Sequence, residues 1–235
     1  MGEVRQWTKH MKIAFLSDIH GNMPALQTCL KAVAEHGCDK IYCLGDTFGY
    51  FQDGQGCYEQ LSRLGTEFLA GNHEAMLLGK LQIGNRRDDV YQLSAEGACL
   101  SLEARNALGR LLPYKLVTLV TGKRLLLVHG SPWDPLQGYV YPDTDLRDYG
   151  SLPYDYIFMG HTHRPFIRRE AETYIVNTGS CGLPRDIGNM ASFAVYDCTL
   201  DRVELVRPRL DIGAIEKKYP TAHPSVLRCL RRRSP

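Results

Sequence analysis

The sequence predicts an α/β fold, with a largely parallel first part and a more antiparallel second part. Over residues 12–70, apolar runs of strand length alternate with helical patterns in the order β-α-β-α-β. This order is typical of parallel strands joined by crossover helices. Beyond residue 160 helical patterns nearly vanish, and short strand-like runs follow one another across turns. We therefore expect a mixed α/β arrangement.

The first part begins with residues 12–17, a short apolar run that fits a buried strand. A helical pattern at residues 25–35 follows, with Pro24 near its start, where proline is tolerated. Three further elements complete this part: a strand at 41–44, a helix at 58–64 and a strand at 66–70.

The middle of the chain, residues 74–112, has a helical composition that the polar residues 84–89 interrupt. Ser101 is a suitable N-cap for the last helix of this stretch, and Pro113 ends it. Later strands are predicted at residues 124–128, 156–159, 166–169, 174–176, 192–196 and 203–207.

One domain is predicted, because no linker rich in proline, glycine or serine and no internal repeat divides the chain. We assign residues 11–220 to this domain and residues 1–10 to a ragged N-terminal extension. Residues 221–235 are interpreted as a basic C-terminal tail that is solvated, with nucleic-acid binding as the alternative. The arginines of this tail are Arg228, Arg231, Arg232 and Arg233.

The composition excludes several classes of protein. No segment of the 235 residues approaches the roughly 20 apolar residues that span a bilayer, and the first residues lack the apolar core of a signal peptide. We therefore expect a cytoplasmic protein without membrane association. A net charge of +2 provides no broad basic field, so nucleic acid is a disfavoured partner. The eight cysteines form no CxxC pair, which argues against a thiolate zinc site.

Polar, metal-capable side chains follow five of the predicted strands, at the points where those strands end. Because the carboxyl ends of parallel strands meet at one edge of a sheet, we expect these side chains to form a single cluster. The residues are Asp18, His20, Asp46, Asn72, His73, His129, His161 and His163.

The chemistry of this set points to a pair of metal ions. Carboxylate and imidazole ligands without thiolate suit divalent ions such as Mn, Fe, Zn, Co or Ni. Seven of these eight side chains as ligands would be too many for one tetrahedral ion but suit two ions that share a bridging carboxylate, an arrangement that serves in-line displacement at phosphorus. Two divalent ions bring four positive charges, of which Asp18, Asp46 and a bridging hydroxide remove three. The centre would therefore attract an anionic phosphate ester.

The strand-end blocks resemble, in content and order, those of the calcineurin-like metallophosphoesterase superfamily. The blocks are Asp18-x-His20, Gly45-Asp46-x-x-Gly49, Gly71-Asn72-His73-Glu74, Val128-His129-Gly130 and Gly160-His161-Thr162-His163. The resemblance covers roughly residues 11–207. The residues in and around the blocks are most similar to those of the small, stand-alone bacterial and archaeal phosphodiesterase-like members. It implies a four-layer α/β/β/α sandwich of two mixed β-sheets, with the dinuclear site at its edge.

The resemblance also implies roles for the site residues. One metal ion would be held by Asp18, His20, Asp46 and His163. The other would be held by Asp46, Asn72, His129 and His161, so that Asp46 bridges the two ions. His73 would lie beside the phosphate and act as a general acid or stabilise the charge that develops on the leaving oxygen. Two divalent ions are therefore the expected cofactors, with Mn favoured in vitro.

Two arginines are candidates for binding the substrate. Arg185 follows Pro184 and would hold a phosphate oxygen, although a salt bridge with Asp186 or another acid is the favoured alternative. Arg164 comes directly after the histidine pair and is open to the same two interpretations.

The second block departs from that of the superfamily's protein serine/threonine phosphatases, in which an Asp-Arg pair partners the catalytic histidine and grips a monoester dianion. The matching positions here are Gly49 and Tyr50. We therefore expect an enzyme in which a metal-bridging hydroxide attacks a small-molecule phosphodiester, since a diester carries less negative charge. A phosphomonoesterase acting on small molecules or proteins is the alternative. A non-catalytic scaffold of the same fold is disfavoured because every presumed ligand is kept.

The walls of the substrate cleft are expected from residues 75–112 and 133–147. Trp133, Tyr139 and Tyr141 in the second segment either stack a flat substrate group or pack the loop against the body, and packing is the favoured interpretation. Nothing in the sequence indicates the physiological substrate or an oligomeric state.

Overall fold

The computed structural model describes residues 11–84 and 87–234, so the N-terminal extension predicted at residues 1–10 lies outside the described residues. The strands in chain order are β1 (Lys12–Leu16), β2 (Lys40–Cys43), β3 (Glu67–Phe68), β4 (Tyr114–Thr118), β5 (Arg124–Val128), β6 (Tyr156–Met159), β7 (Phe166–Glu170), β8 (Thr173–Asn177), β9 (Phe193–Asp197) and β10 (Arg202–Val206). The α-helices are α1 (Met23–Glu35), α2 (Gly54–Arg63), α3 (Asn72–Leu77), α4 (Asp88–Tyr91), α5 (Leu93–Cys99), α6 (Leu102–Gly109), α7 (Ile212–Lys218) and α8 (Pro224–Leu230).

The strands form two mixed five-stranded sheets. The first has the order β10-β9-β1-β2-β3, in which β1, β2 and β3 are parallel and β9 is antiparallel to β1. The second has the order β4-β5-β6-β8-β7, in which three parallel strands lie between two antiparallel edge strands. The predicted α/β class with two mixed sheets is confirmed.

The two sheets pack face to face around aromatic and aliphatic side chains. Phe15 of β1 stacks on Phe158 of β6, with ring centroids 3.9 Å apart. Helices α1, α2, α7 and α8 cover the outer face of the first sheet and share one apolar cluster with β1 and β9. The outer face of the second sheet is covered by a loop that contains a 3-10 helix, Arg147–Ser151, and the buried Tyr149. On this face the second sheet is thus packed against a loop with one short helical segment.

The interpretation of residues 221–235 as a solvated tail is wrong for residues 224–230, which form the packed helix α8. Helix α8 buries Val226 and Leu230, which are 2% and 0% exposed, in the cluster with α1 and β1. Their i, i+4 spacing places both on one helix face, whereas Arg228 is exposed on another. Arg228 therefore marks the solvated face of a packed helix, and Arg231, Arg232 and Arg233 are exposed at and after its end. The predicted domain boundary at residue 220 falls between two helices that belong to the same core.

The helices in the middle of the chain are shorter and more numerous than the composition predicts. Four short helices, α3 to α6, replace the expected long ones, and Ser101 caps α6 by accepting the N–H of Ala104 at 3.1 Å. Strand β4 was not predicted, because its alternation turns Tyr114 and Leu116 outwards, with Leu116 58% exposed, and only Val117 inwards. Such an edge strand lacks the apolar inner face that a sequence pattern reveals.

Among residues 11–84 and 87–234, no helix combines the length and the apolar character needed to cross a membrane.

Candidate metal centre

The predicted site residues converge in one buried centre, where β1, β2, β3, β5 and β6 end. Loops carry most of them directly after these strands, while Asn72 and His73 open the first turn of α3. All eight side chains are buried: Asp18, His20, Asp46, Asn72, His73, His129, His161 and His163. Side chains from five separate sequence blocks therefore form a single cluster in space.

The first group of this centre surrounds the Nε2 atom of His20. His163 Nε2 lies 3.0 Å from it, Asp18 Oδ1 3.7 Å and Asp46 Oδ2 3.9 Å. His163 Nε2 also lies 3.1 Å from Asp18 Oδ1. These four residues are the set that the resemblance implied for one metal ion.

The second group surrounds the Nε2 atom of His129. Asn72 Oδ1 lies 3.1 Å from it and Asp46 Oδ1 3.5 Å. His161 completes the group, since ligand atoms of His161, Asp46 and His129 all lie within 4.8 Å of one another. Asp46 thus turns Oδ2 towards the first group and Oδ1 towards the second, which is the position of a bridging carboxylate.

Backbone carbonyl groups select one tautomer for three of the imidazoles. Each Nδ1 atom has a carbonyl oxygen as its partner, and a carbonyl oxygen only accepts hydrogen bonds. The bonds, at 3.1, 2.9 and 2.6 Å, join His20 to Phe48, His129 to Leu44 and His163 to Leu183. We therefore assign the ring proton to Nδ1, which leaves the Nε2 lone pair directed into the centre, as in histidines that bind metal.

The middle of the centre is rich in acceptors that lack donors. The Nε2 atoms of His20 and His163 face each other at 3.0 Å with their ring protons directed elsewhere. Asp18 Oδ1 and His161 Nε2 are buried and receive no hydrogen bond from the residues that the structure describes. Buried acceptors without partners cost free energy, and a cation among them removes that cost. The donor set therefore fits divalent metal ions.

The electrostatics of the centre also suit cations. Burial lowers the pKa of His161 and of His163 to about 3, so both imidazoles are neutral, ligand-competent groups at neutral pH. The pKa of Asp46 lies well above its usual range because of burial and the negative charges of Glu74 and Asp18. Bound cations would offset this concentration of negative charge.

Backbone strain is concentrated at the same residues. Five of the seven predicted ligands adopt the left-handed conformation, with φ between 53° and 64°, although none is a glycine. They are Asp18, His20, Asp46, His161 and His163. Such conformations cost about 1 to 3 kcal/mol each and persist where surrounding contacts impose them, often at functional sites.

Two glycines of the motifs are required by close approach. A Cβ atom at Gly71 would lie 2.1 Å from Asp46 Oδ1, and one at Gly160 would lie 2.5 Å from Asp18 Oδ2. Neither glycine has a positive φ. They are therefore needed because carboxylates of the centre pack against the backbone, and any side chain would displace those carboxylates.

Glu74, the last residue of the third block, holds the strand ends together, a role that was not predicted. Its carboxylate accepts the N–H groups of Asp46, Thr47 and Gly71 at 2.8, 2.7 and 2.7 Å. The loop after β2 and the start of α3 are thereby fixed relative to each other. Glu74 is the third residue of α3 and reaches back to the N–H of the N-cap Gly71, which is the half of a capping box that a glycine N-cap permits. A glutamate three residues after a candidate N-cap can be recognised in a sequence.

Glu96 of α5 fixes the backbone of the loop after β2 in a similar way, and this role was not predicted from the sequence. Its carboxylate accepts the N–H of Gly49 at 2.7 Å and the N–H of Gly54 at 2.6 Å. Burial, together with the charges of Glu74 and Asp53, raises the pKa of Glu96 to about 7 despite these bonds. The sequence separation of more than 40 residues leaves no local pattern by which this contact could have been predicted.

We expect Glu96 to make stability depend on pH. Its folded-state pKa exceeds the unfolded value, so its contribution is complete below the unfolded pKa and is lost as pH rises through about 7. In this window the free energy of unfolding should fall by up to roughly 1.4 kcal/mol per pH unit. Denaturant unfolding of the wild type and of Glu96→Gln, whose residue 96 cannot titrate, is measured across this pH window. The quantity compared is the difference between their free energies of unfolding. A difference that stays constant with pH would contradict this assignment.

His73 lies at the edge of the first group. Its Nδ1 donates to the carbonyl of Phe48 at 3.0 Å, and its Nε2 lies 3.9 Å from Asp46 Oδ2. Its ring is stacked against Tyr50, with centroids 5.1 Å apart, and lies 4.8 Å from the ring of Tyr91. Burial and the neighbouring histidines hold the pKa of His73 well below its usual range.

Arg185 is directed towards this centre. Its Nη2 donates to the hydroxyl of Tyr50 at 2.9 Å, and its charge helps to lower the pKa of His163 after burial, the main cause. Asp186, the acid suggested as its partner, pairs instead with Arg207 at 2.8 Å. Among the described residues, no carboxylate forms a salt bridge with Arg185. Arg164 is half-buried, and its predicted role stays a prediction.

Comparisons with known proteins agree with the geometry. Residues 11–201 match the family model described as a calcineurin-like phosphoesterase superfamily domain. An uncharacterised protein of Methanocaldococcus jannaschii is 31% identical over 231 residues, covering 88% of this chain and 90% of the relative. Phosphodiesterase YfcE of Escherichia coli is 26% identical over 193 residues, covering 80% of this chain and 88% of the relative. The crystal structure of a metallophosphoesterase from Sphaerobacter thermophilus superposes with a TM-score of 0.78 and 26% identity, covering 94% of this chain and 98% of that protein.

Proposed function

Since this chain belongs to the calcineurin-like phosphoesterase superfamily, we propose that it is a metal-dependent phosphoesterase that prefers small phosphodiesters. The observation that carries the proposal is the buried centre in which Asp46 turns one carboxylate oxygen towards each of two histidine groups. The name of the E. coli relative, a phosphodiesterase, supports the same class of substrate.

Two divalent ions, with Mn²⁺ the preferred choice for assays, would be held by the two groups around His20 and His129. Bound there, they would lower the pKa of coordinated water and offset charge on the phosphoryl group. The chain supplies neutral imidazole lone pairs and the carboxylates of Asp18 and Asp46, all buried and fixed by backbone contacts. Little reorganisation is then needed when the substrate binds.

His73 would act on the leaving oxygen through Nε2. The Phe48 carbonyl and the stacked Tyr50 ring hold the imidazole in one orientation, so that Nε2 faces the centre beside Asp46. Both roles open to it, protonation of the leaving oxygen and stabilisation of the charge that develops there, need a proton on Nε2 as well as on Nδ1. The negative charge of a bound phosphate would favour this doubly protonated ring.

Arg185 and Tyr50 account for the preference for diesters. Arg185 is a single guanidinium that already donates one N–H to the Tyr50 hydroxyl, and its remaining N–H groups would hold one phosphate oxygen. The phenol of Tyr50 contributes no positive charge where the superfamily's protein phosphatases have an arginine. One guanidinium suits the single negative charge of a diester better than the double charge of a monoester.

The order of two substrates tests this proposal. Mn-loaded protein is expected to hydrolyse bis-p-nitrophenyl phosphate with a higher kcat/KM than p-nitrophenyl phosphate, because both release the same phenolate and differ in charge at phosphorus. The reverse order would favour a phosphomonoesterase. Loaded protein that hydrolyses neither ester would favour a non-catalytic scaffold.

A further inference from the structure

Two tyrosines stand in solvent beside the metal centre. Tyr139 is 55% exposed and Tyr141 is 41% exposed, and their rings are stacked nearly parallel, with centroids 5.9 Å apart and an angle of 9°. Both belong to the loop between β5 and β6. Large aromatic surfaces are usually buried, so a stacked pair exposed to solvent is a candidate binding surface for another molecule.

Tyr139 also touches the centre directly. Its ring lies 4.2 Å from the ring of His161, with an angle of 40° between them. His161 belongs to the group around His129, so Tyr139 covers one side of the place where a phosphate would bind. A group attached to that phosphate would pass along the exposed part of the Tyr139 ring.

Aromatic and basic side chains also surround His73, the catalytic candidate of the centre. Tyr91 lies against His73 and Tyr50, with centroids 4.8 and 5.1 Å away. Arg185 donates to the hydroxyl of Tyr50, and its charge opposes the rise that burial causes in the pKa of the Tyr139 phenol. The surroundings of the centre therefore combine aromatic rings with one guanidinium.

Packing of the loop does not account for the exposed pair. The loop is anchored by other residues: Trp133 meets Tyr149 edge to face at 4.7 Å, and Val140, which lies between the two tyrosines in sequence, is buried in the cluster on the second sheet. The interpretation of these aromatics as packing residues thus suits Trp133, whereas Tyr139 and Tyr141 have their surfaces left for another molecule.

We propose that Tyr139 and Tyr141 form a stacking platform for a planar aromatic substituent of the substrate, so that the preferred phosphoesters carry an aryl group or a nucleobase. The proposal rests on the proposed function, since it assumes that the phosphate binds at the metal centre. Stacking of a base on an aromatic side chain typically changes affinity by roughly 5-fold to 150-fold.

Two phosphonates that cannot be hydrolysed isolate the stacking from catalysis. Phenylphosphonate and methylphosphonate carry the same anionic group and differ in the flat ring. We expect Mn-loaded wild-type protein to bind phenylphosphonate at least about 10-fold more tightly by calorimetry. In Tyr139→Ala this ratio should fall to about 3-fold or less while the Kd of methylphosphonate stays unchanged, and Tyr139→Phe should keep the wild-type ratio.

The other outcomes are equally informative. Trp133→Ala, which removes an exposed aromatic of the same loop, should keep the wild-type ratio, and an equal fall there would overturn the platform in favour of loop packing. Equal affinity of wild-type protein for the two phosphonates overturns the platform while leaving the proposed function intact. Binding of neither phosphonate overturns the platform, and hydrolysis of bis-p-nitrophenyl phosphate by the same sample tests the proposed function separately. Tyr139→Leu, which keeps apolar contact with His161, should behave like Tyr139→Ala, and retention of the ratio in it would contradict stacking.

Discussion

Replacing Asp46 with asparagine is expected to reduce the Mn content to less than one ion per chain and turnover by more than the roughly 100-fold loss typical of an outer-sphere residue. Asp46 Oδ1 accepts the N–H of His73 at 2.8 Å, so the asparagine oxygen would keep this position. The amide nitrogen would then replace Oδ2, which lies 3.9 Å from both His20 Nε2 and His73 Nε2. A hydrogen-bond donor would thus stand where the proposed shared ligand stood.

The stability of the same variant provides a second test. Three carboxyl groups, those of Asp18, Asp46 and Glu74, are buried together, so removal of one charge should leave metal-free protein as stable as the wild type or more stable. Added Mn²⁺ should raise the Tm of wild-type protein more than that of Asp46→Asn. Asp39→Asn is the control, since Asp39 is an exposed carboxylate that accepts the N–H of Lys12. Two ions retained by Asp46→Asn would show that the bridging role is misassigned.

Replacing His73 with alanine is expected to lower turnover by about 10²- to 10⁴-fold without changing the metal content. The imidazole is held by the Phe48 carbonyl and by contacts with Tyr50 and Tyr91. None of the four ligands implied for either ion is His73. Elemental analysis of loaded protein and kcat for bis-p-nitrophenyl phosphate measure the two quantities on the same sample.

The leaving group distinguishes the two roles open to His73. If His73 donates a proton, the loss in His73→Ala should be larger for diphenyl phosphate, whose leaving phenolate is more basic, than for bis-p-nitrophenyl phosphate. An equal loss would indicate charge stabilisation without proton transfer. His36→Ala, at the end of α1, should retain full activity. Because His73 also lies within ligand distance of His20 and Asp46, loss of metal in His73→Ala would instead identify it as a ligand.

The strand ends were the most predictable part of the molecule. The apolar runs before Asp18, Asp46 and His129 have the length and burial of strands, and the topology of parallel strands brings their carboxyl ends to one edge. The side chains that meet in the centre could therefore be predicted from the positions of the strand ends. What could not be predicted was the backbone conformation, since left-handed φ values at Asp18 and His161 are imposed by tertiary contacts and not by local propensity.

The supporting contacts were unpredictable for a different reason. Glu96, Tyr139 and Leu230 each act through partners far away in the chain, and nothing in their own neighbourhoods indicates those partners. The arginine run after Leu227 concealed a packed helix because charge dominates the local composition, while two apolar residues four apart decide the packing. Asp186 was a plausible partner of Arg185 by adjacency, yet the fold brings its carboxylate to Arg207, far away in the chain.

An X-ray structure of crystals grown with Mn²⁺, with anomalous data collected near the Mn absorption edge, tests the central claim most directly. We expect two anomalous peaks in each chain, one touching Asp18, His20, Asp46 and His163 and the other touching Asp46, Asn72, His129 and His161. A single peak, peaks elsewhere on the surface, or an Asp46 carboxylate that contacts only one ion would contradict the account.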